Sequence, residues 1–210
     1  MMKIFIVLFG LVSVAVAAPQ SRKVFHENFE EFLDLIEEHA GTEITQIMNK
    51  YLQFEEFMQS VQYLSSTKFK GLIYEMESLP EFTAVTDYLE SHNIDISYFI
   101  DLLNNMLEFG GPQGISRQNV SGRDFLSFSY DVIQAFPKEK LAALFDQKIA
   151  EDEEFKAAIA GLMTDEFQQL YTKLWENELF IAEVQALEDN GIDVGILLLE
   201  LLAIFGQNKF

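Results

Sequence analysis

Three histidines, His26, His39 and His92, are the imidazoles this chain offers for acid–base or metal chemistry, and none lies three or four residues from another. That spacing is what brings two ligands onto one helix face, so they form no zinc pair. The chain has no cysteine, which excludes thiolate metal sites and thiol redox chemistry. Carboxylates are abundant, and the adjacent pairs Glu55-Glu56 and Glu153-Glu154 are the obvious places to look for a catalytic acid and base. Both pairs stand where a helix starts, where they complement the helix dipole and need no further role. Gly110-Gly111-Pro112-Gln113-Gly114 lacks the preceding strand and following lysine of a phosphate loop, and the chain has no G-x-S-x-G elbow and no dinucleotide fingerprint. The expectation is a protein with no catalytic residues, no metal and no cofactor.

The elements that carry these residues are duplicated. A shift of 98 places sets Glu55-Glu56-Phe57 on Glu153-Glu154-Phe155, Leu64 on Leu162, Phe69 on Phe167 and Leu72 on Leu170. It continues through Phe82 and Phe180, Leu89-Glu90 and Leu187-Glu188, and Ile94-Asp95 and Ile192-Asp193. This period far exceeds the roughly 20–50 residues of solenoid units. The repeated object is therefore a multi-helix subdomain copied once.

Apolar spacing at three and four residues fits helices almost everywhere, with no period-two strand. Phe25, Phe29, Phe32, Leu33 and Ile36 form one stripe, opposite Glu27, Glu30, Glu31, Asp34, Glu37 and Glu38. Breaks are expected at Gly41-Thr42, near Gln53, at Ser65-Ser66, from Ser78 to Pro80 and from Asn93 to Asp95. The second half is punctuated at Pro137, Asp152, Thr164, Asn190-Gly191 and Asp193. Six helices per copy, twelve in all, are predicted. Boundaries are a leader over 1–18, a first repeat over 24–109, a glycine-rich linker over 110–122 and a second repeat over 123–206, the repeats forming one globular unit. Asn119-Val120-Ser121, in the linker, is a glycosylation sequon.

The leader reads as a secretory signal: Met1-Met2-Lys3, an apolar run from Ile4 to Ala18, and small residues for cleavage after Ala17 or Ala18. With 34 acidic against 14 basic residues the net charge is −20, which repels phosphate backbones and excludes nucleic acid as a partner. Yet 49% of the residues are hydrophobic and 20 are Phe, so much apolar surface must be sequestered. The last helix of the second copy is apolar on all sides except at Glu200, and its counterpart in the first copy offers Ile96, Tyr98, Phe99, Ile100, Leu102, Leu103, Met106, Leu107 and Phe109; a helix apolar all round is expected to be buried. At about 20 Å it is too short to span hydrocarbon.

The duplication, the leader, the lack of cysteine, the Phe-x-x-Leu elements at Phe69–Leu72 and Phe167–Leu170 and the Ile-Asp starts at Ile94-Asp95 and Ile192-Asp193 together resemble the insect allergen-related repeat family. This family includes cockroach and mosquito midgut proteins and the nitrile-specifier detoxification proteins of butterfly larvae, and the mosquito midgut microvillar type is most similar in pattern. The resemblance implies an all-α capsule of two six-helix repeats around a large hydrophobic cavity that holds fatty acids or phospholipids as cargo, made in the gut and placed in its lumen or on microvilli. Alternatives are a membrane-active protein that delivers lipid to or disrupts a bilayer, and a detoxification enzyme. If the apolar helices face inward, the lining is expected from Phe69, Leu72, Phe99, Leu102, Leu103, Met106, Phe167, Leu170, Ile196, Leu199, Leu202 and Phe205. A charged carboxylate in that interior would be costly, so cargo headgroups are expected at a seam reached by Lys or Arg, or to be uncharged or zwitterionic.

Overall fold

The computed structural model of the chain describes residues 25–100 and 121–207. All regular structure among them is α-helical. The helices are α1 (Phe25–Tyr51), α2 (Glu55–Leu64), α3 (Thr67–Glu77), α4 (Pro80–Ser91) and α5, described over 96–100. They continue with α6 (Phe125–Ala135), α7 (Lys138–Glu151), α8 (Glu153–Gly161), α9 (Asp165–Glu176), α10 (Glu178–Asp189) and α11 (Val194–Ile204). The leader, most of the linker and Asn119 lie outside the described residues.

Most of the expected punctuation is in place. Ser66 Oγ accepts from the Phe69 amide and its counterpart Thr164 Oγ1 from the Phe167 amide, capping α3 and α9 alike. Pro80 occupies the first turn of α4. Asn93 at φ 61° and Gly191 at φ 79° hold the same place in the two copies. After each of them the chain closes with the same bond, Ile94 N–H to Leu89 O and Ile192 N–H to Leu187 O, both 3.0 Å.

One break is absent. α1 runs for 27 residues through Gly41-Thr42, so eleven helices form among the described residues where twelve were expected. The buried positions explain the difference. Phe29, Phe32, Leu33, Ile36 and Ala40 in α1 match Phe125, Phe128, Ser129, Val132 and Phe136 at a shift of 96, whereas Lys50 and Lys148, both buried, match at 98. The second copy therefore carries two extra residues between these points. In a continuous helix they would rotate everything beyond by about 200°, so the chain leaves helical geometry at Phe136 (φ −61°, ψ 143°), ahead of Pro137. The first copy has no such insertion, and Gly41 is simply buried within the helix.

The copies exchange contacts. α2 packs on α6 while its counterpart α8 packs on α1, and α4 packs on α9 while its counterpart α10 packs on α3. A buried polar network ties them: Lys148 Nζ reaches Glu31 at 2.8 Å and Asn28 Oδ1 at 2.6 Å, and Asn28 Nδ2 donates to Asp152, the N-cap of α8, at 3.1 Å. Together with the Lys148 ammonium and the α8 amides it accepts from, this holds the Asp152 carboxyl below its ordinary range against the opposing effect of burial.

Candidate functional site

Two groups of helices differ in how fully they are filled. In the first, Phe32, Ile36, Tyr51, Phe57, Leu141 and Ile204 are fully inaccessible. Rings from both copies interlock there: Phe205 meets Phe32 at 5.0 Å and Phe29 at 5.7 Å, and Phe155 stacks on Phe25 at 5.8 Å. The second centres on α4 and α9, joined by Met76 of α3 and by Phe180 and Val184 of α10. Tyr88 is the single buried residue of α4 and Leu174 that of α9, while Phe82, Leu89, Phe167, Leu170, Tyr171 and Trp175 are half-buried. Its inner cluster is small: Leu79, Leu174, Phe180 and Val184.

α4 and α9 run antiparallel and are pinned at their ends. Tyr88 Oη donates to Gly161 O at 2.9 Å, and Asn177 Nδ2 donates to Glu81 at 3.0 Å. At the first of these ends Gly161 leaves room for the His92 ring, which a Cβ there would approach to 2.8 Å. The ends are thus fixed by directional bonds while the apolar flanks between them keep accessible surface.

The nominated residues divide between these groups. Phe69, Leu72, Ile196 and Phe205 are buried in the main core, with Phe99 and Leu199 packed against it. Phe99 meets Phe29 edge-on at 5.3 Å. Phe167 and Leu170 lie on α9, Phe167 against Tyr88 at 5.6 Å. Leu102, Leu103 and Met106 lie outside the described residues. Leu202 is 48% exposed and Leu198 38%, which corrects the expectation that α11 is buried all round. α11 packs on α6, α1 and α10, and among the described residues its outer stripe has no covering helix.

The residue that sequence patterning passed over as a site is Glu200. It shares the inner stripe of α11 with Ile196, Leu197, Ala203 and Ile204, is 5% exposed, and makes no hydrogen bond or ion pair with any described residue. Burial alone pushes its carboxyl up to about 8. The sequence signal was available: one acid in an otherwise apolar helix. The repeat sharpens it, since Leu102 occupies the matching position of the first copy. On α6, one of the helices packed against α11, the buried Ser129 hydroxyl is also without a partner.

A second polar group sits at the start of α1. His26 Nδ1 pairs with Asp95, whose other oxygen accepts the His26 backbone N–H at 3.0 Å, and Tyr98 stacks on the imidazole at 4.0 Å. Burial, with Glu30 and Asp95 nearby, pushes the Tyr98 hydroxyl up to about 12. This arrangement joins the first turn of α1 to the entry of α5. Glu55, Glu56 and Glu153 project into solvent from the first turns of α2 and α8, with Glu56 3.4 Å from Arg123 and Glu153 3.4 Å from Lys156. Among the described residues no cluster of His, Asp or Glu could hold a metal ion, and no helix is long and apolar enough to cross a membrane.

The chain matches the family model described as insect allergen related repeat, nitrile-specifier detoxification, over residues 24–198. No curated protein matches it.

Proposed function

We propose that this chain, which belongs to the insect allergen related repeat family, is a secreted gut protein that holds fatty acids or phospholipids among its apolar helices. The observation that supports this reading most is the unequal filling of the two helix groups. α4 and α9 carry Phe82, Leu89, Phe167, Leu170 and Trp175 half-buried beside helix ends already fixed by Tyr88 and Asn177. Acyl chains suit such surfaces, because each methylene removed from water contributes about 0.8 kcal/mol without needing a directional partner. A C16 tail thereby gains on the order of 10 kcal/mol before ordering costs. The strongly acidic composition keeps such a carrier soluble. Mass spectrometry of organic extracts from purified protein tests this: lipid at a fixed molar ratio is expected, and its absence would end the reading.

A membrane-active role is favoured by a separate observation. Leu179 (63% exposed) and Ile181 (47%) on α10 join Leu198 and Leu202 on α11 as accessible apolar side chains, which suit transient contact with a bilayer. Leakage from liposomes, compared for lipid-loaded and stripped protein, separates delivery or lysis from storage. The nitrile-specifier detoxification in the family description is the enzymatic reading, for which a screen for altered toxin breakdown products is the direct assay.

A further inference from the structure

A buried polar group without an internal partner calls for an external one. Six polar or charged residues among those described are buried: Asn28, Lys50, Ser60, Ser129, Lys148 and Glu200. Asn28 and Lys148 satisfy each other and their neighbours, and Ser60 Oγ donates to Asn190 O at 2.9 Å. Glu200 is the ionisable one left without a partner among the described residues. Its side chain is 5% exposed and, among the described residues, has no cation to balance it. No charged group of α1, α6 or α10, the helices packed on α11, acts on it. The scaffold does not require an acid there, since the matching position of the first copy is Leu102. α11 also borders both helix groups, with Val194 in its first turn packed against the main core and the smaller cluster alike.

We propose that Glu200 is the polar anchor for cargo: its un-ionised carboxyl pairs with the carboxyl of a fatty acid whose tail lies along the apolar side chains bordering α11. This rests on the carrier reading, narrows its ligand from fatty acids or phospholipids to un-ionised fatty acids, and assigns the residue that selects them. An un-ionised carboxyl presents one donor and one acceptor side by side, and so does the headgroup of an un-ionised fatty acid. Two such groups close a pair of O–H···O bonds that leaves neither donor unsatisfied and buries no net charge. Two ionised carboxylates cannot share a dry site, so a fatty acid arriving as its anion takes up one proton from solvent as it binds. The raised carboxyl of Glu200 agrees with this, being protonated at neutral pH before the ligand arrives.

The test uses delipidated full chain, with 1-13C-palmitic acid and hexadecane as probes. In Glu200→Leu the affinity for palmitic acid is expected to fall about tenfold or more, the effect of losing the hydrogen bonds that satisfy a buried polar group. Glu200→Gln, whose amide keeps a donor and an acceptor, is expected to stay within about threefold of wild type. Hexadecane should bind all three proteins alike. Undiminished palmitic acid binding by Glu200→Leu overturns the anchor while leaving the carrier reading intact. Loss of both probes by wild type removes the carrier reading and the anchor with it. In wild type alone, the 13C resonance of bound palmitic acid should stay at the position of the un-ionised acid through pH 7. If it titrates instead at about pH 4–5 like an exposed carboxylate, the pairing is wrong.

Discussion

The two copies of the repeat agree where shape is set and differ where a guest is proposed to lie. Phe57 and Phe155 are both fully buried, Lys50 and Lys148 are both buried, and the left-handed residue is Asn93 after α4 in one copy and Gly191 after its counterpart α10 in the other. Against this, Phe69 and Leu72 of α3 are buried while Phe167 and Leu170 of α9 are half-buried, and Leu102 in the first copy stands where Glu200 stands in the second. Phe57/Phe155 and Lys50/Lys148 share both residue type and burial, Phe69/Phe167 and Leu72/Leu170 share type without sharing burial, and Leu102/Glu200 differ in type.

The symmetric positions should respond equally and strongly. Phe57→Ala and Phe155→Ala each leave a large void in a close-packed aromatic cluster and are expected to cost about 3–5 kcal/mol, read as equal shifts in urea midpoint. Markedly different costs would mean the shared burial hides different surroundings. The α3 and α9 pair should split. Phe69→Ala is expected to cost about 3 kcal/mol, whereas Phe167→Ala, with less surface removed from water, should cost about half that and weaken acyl-chain retention instead. Equal stability losses with unchanged lipid content would count against the looser group as the binding region.

The next effect belongs to the asymmetric acid. Because the folded-state pKa of Glu200 is raised to about 8 from an ordinary value of about 4.3, its contribution to stability is complete below the ordinary value. It is lost as pH rises through the folded one. Between pH 6 and pH 8 wild type should therefore lose roughly 2 kcal/mol relative to Glu200→Gln, taking about 1.4 kcal/mol per pH unit while the folded group holds a proton that the unfolded chain has released. Parallel pH profiles for the two proteins would show that the carboxyl is solvated.

Much of the architecture was legible because its signals are local. Caps at Ser66, Thr164, Asp152 and Asp193, the first-turn Pro80 and the Phe57/Phe155 register all rest on short-range geometry or on the repeat itself. The fused α1 was misread because Gly41-Thr42 looks like a stop, whereas the deciding feature is a two-residue difference in register that only the burial pattern reveals. The candidate site was half legible. Apolar periodicity nominates inward faces without saying which side has a partner, so Leu202 was placed inside although it faces solvent. Glu200 was noticed as an exception in α11, but its isolation depends on which helices pack around it.

The smallest expected effect tests whether equivalent backbone geometry implies equivalent tolerance. Asn93 and Gly191 share a left-handed conformation, which asparagine adopts at modest cost and glycine at none. Asn93→Gly relieves that cost but frees the unfolded chain, two opposing terms that leave stability within about 0.5 kcal/mol of wild type. The reverse exchange is not equivalent. A Cβ on Gly191 would lie 2.7 Å from Ser60 Oγ, which is itself fixed by its bond to the neighbouring Asn190 carbonyl. Gly191→Asn must therefore displace a buried hydroxyl and break that bond, at an expected cost of about 1–2 kcal/mol. Adding Ser60→Ala, which matches Ala158 at the equivalent place in the second copy, should recover most of that loss. Thermal denaturation of the two single variants and the double variant measures this directly, and a double variant no more stable than Gly191→Asn alone would show that the backbone, not the Ser60 contact, sets the requirement for glycine.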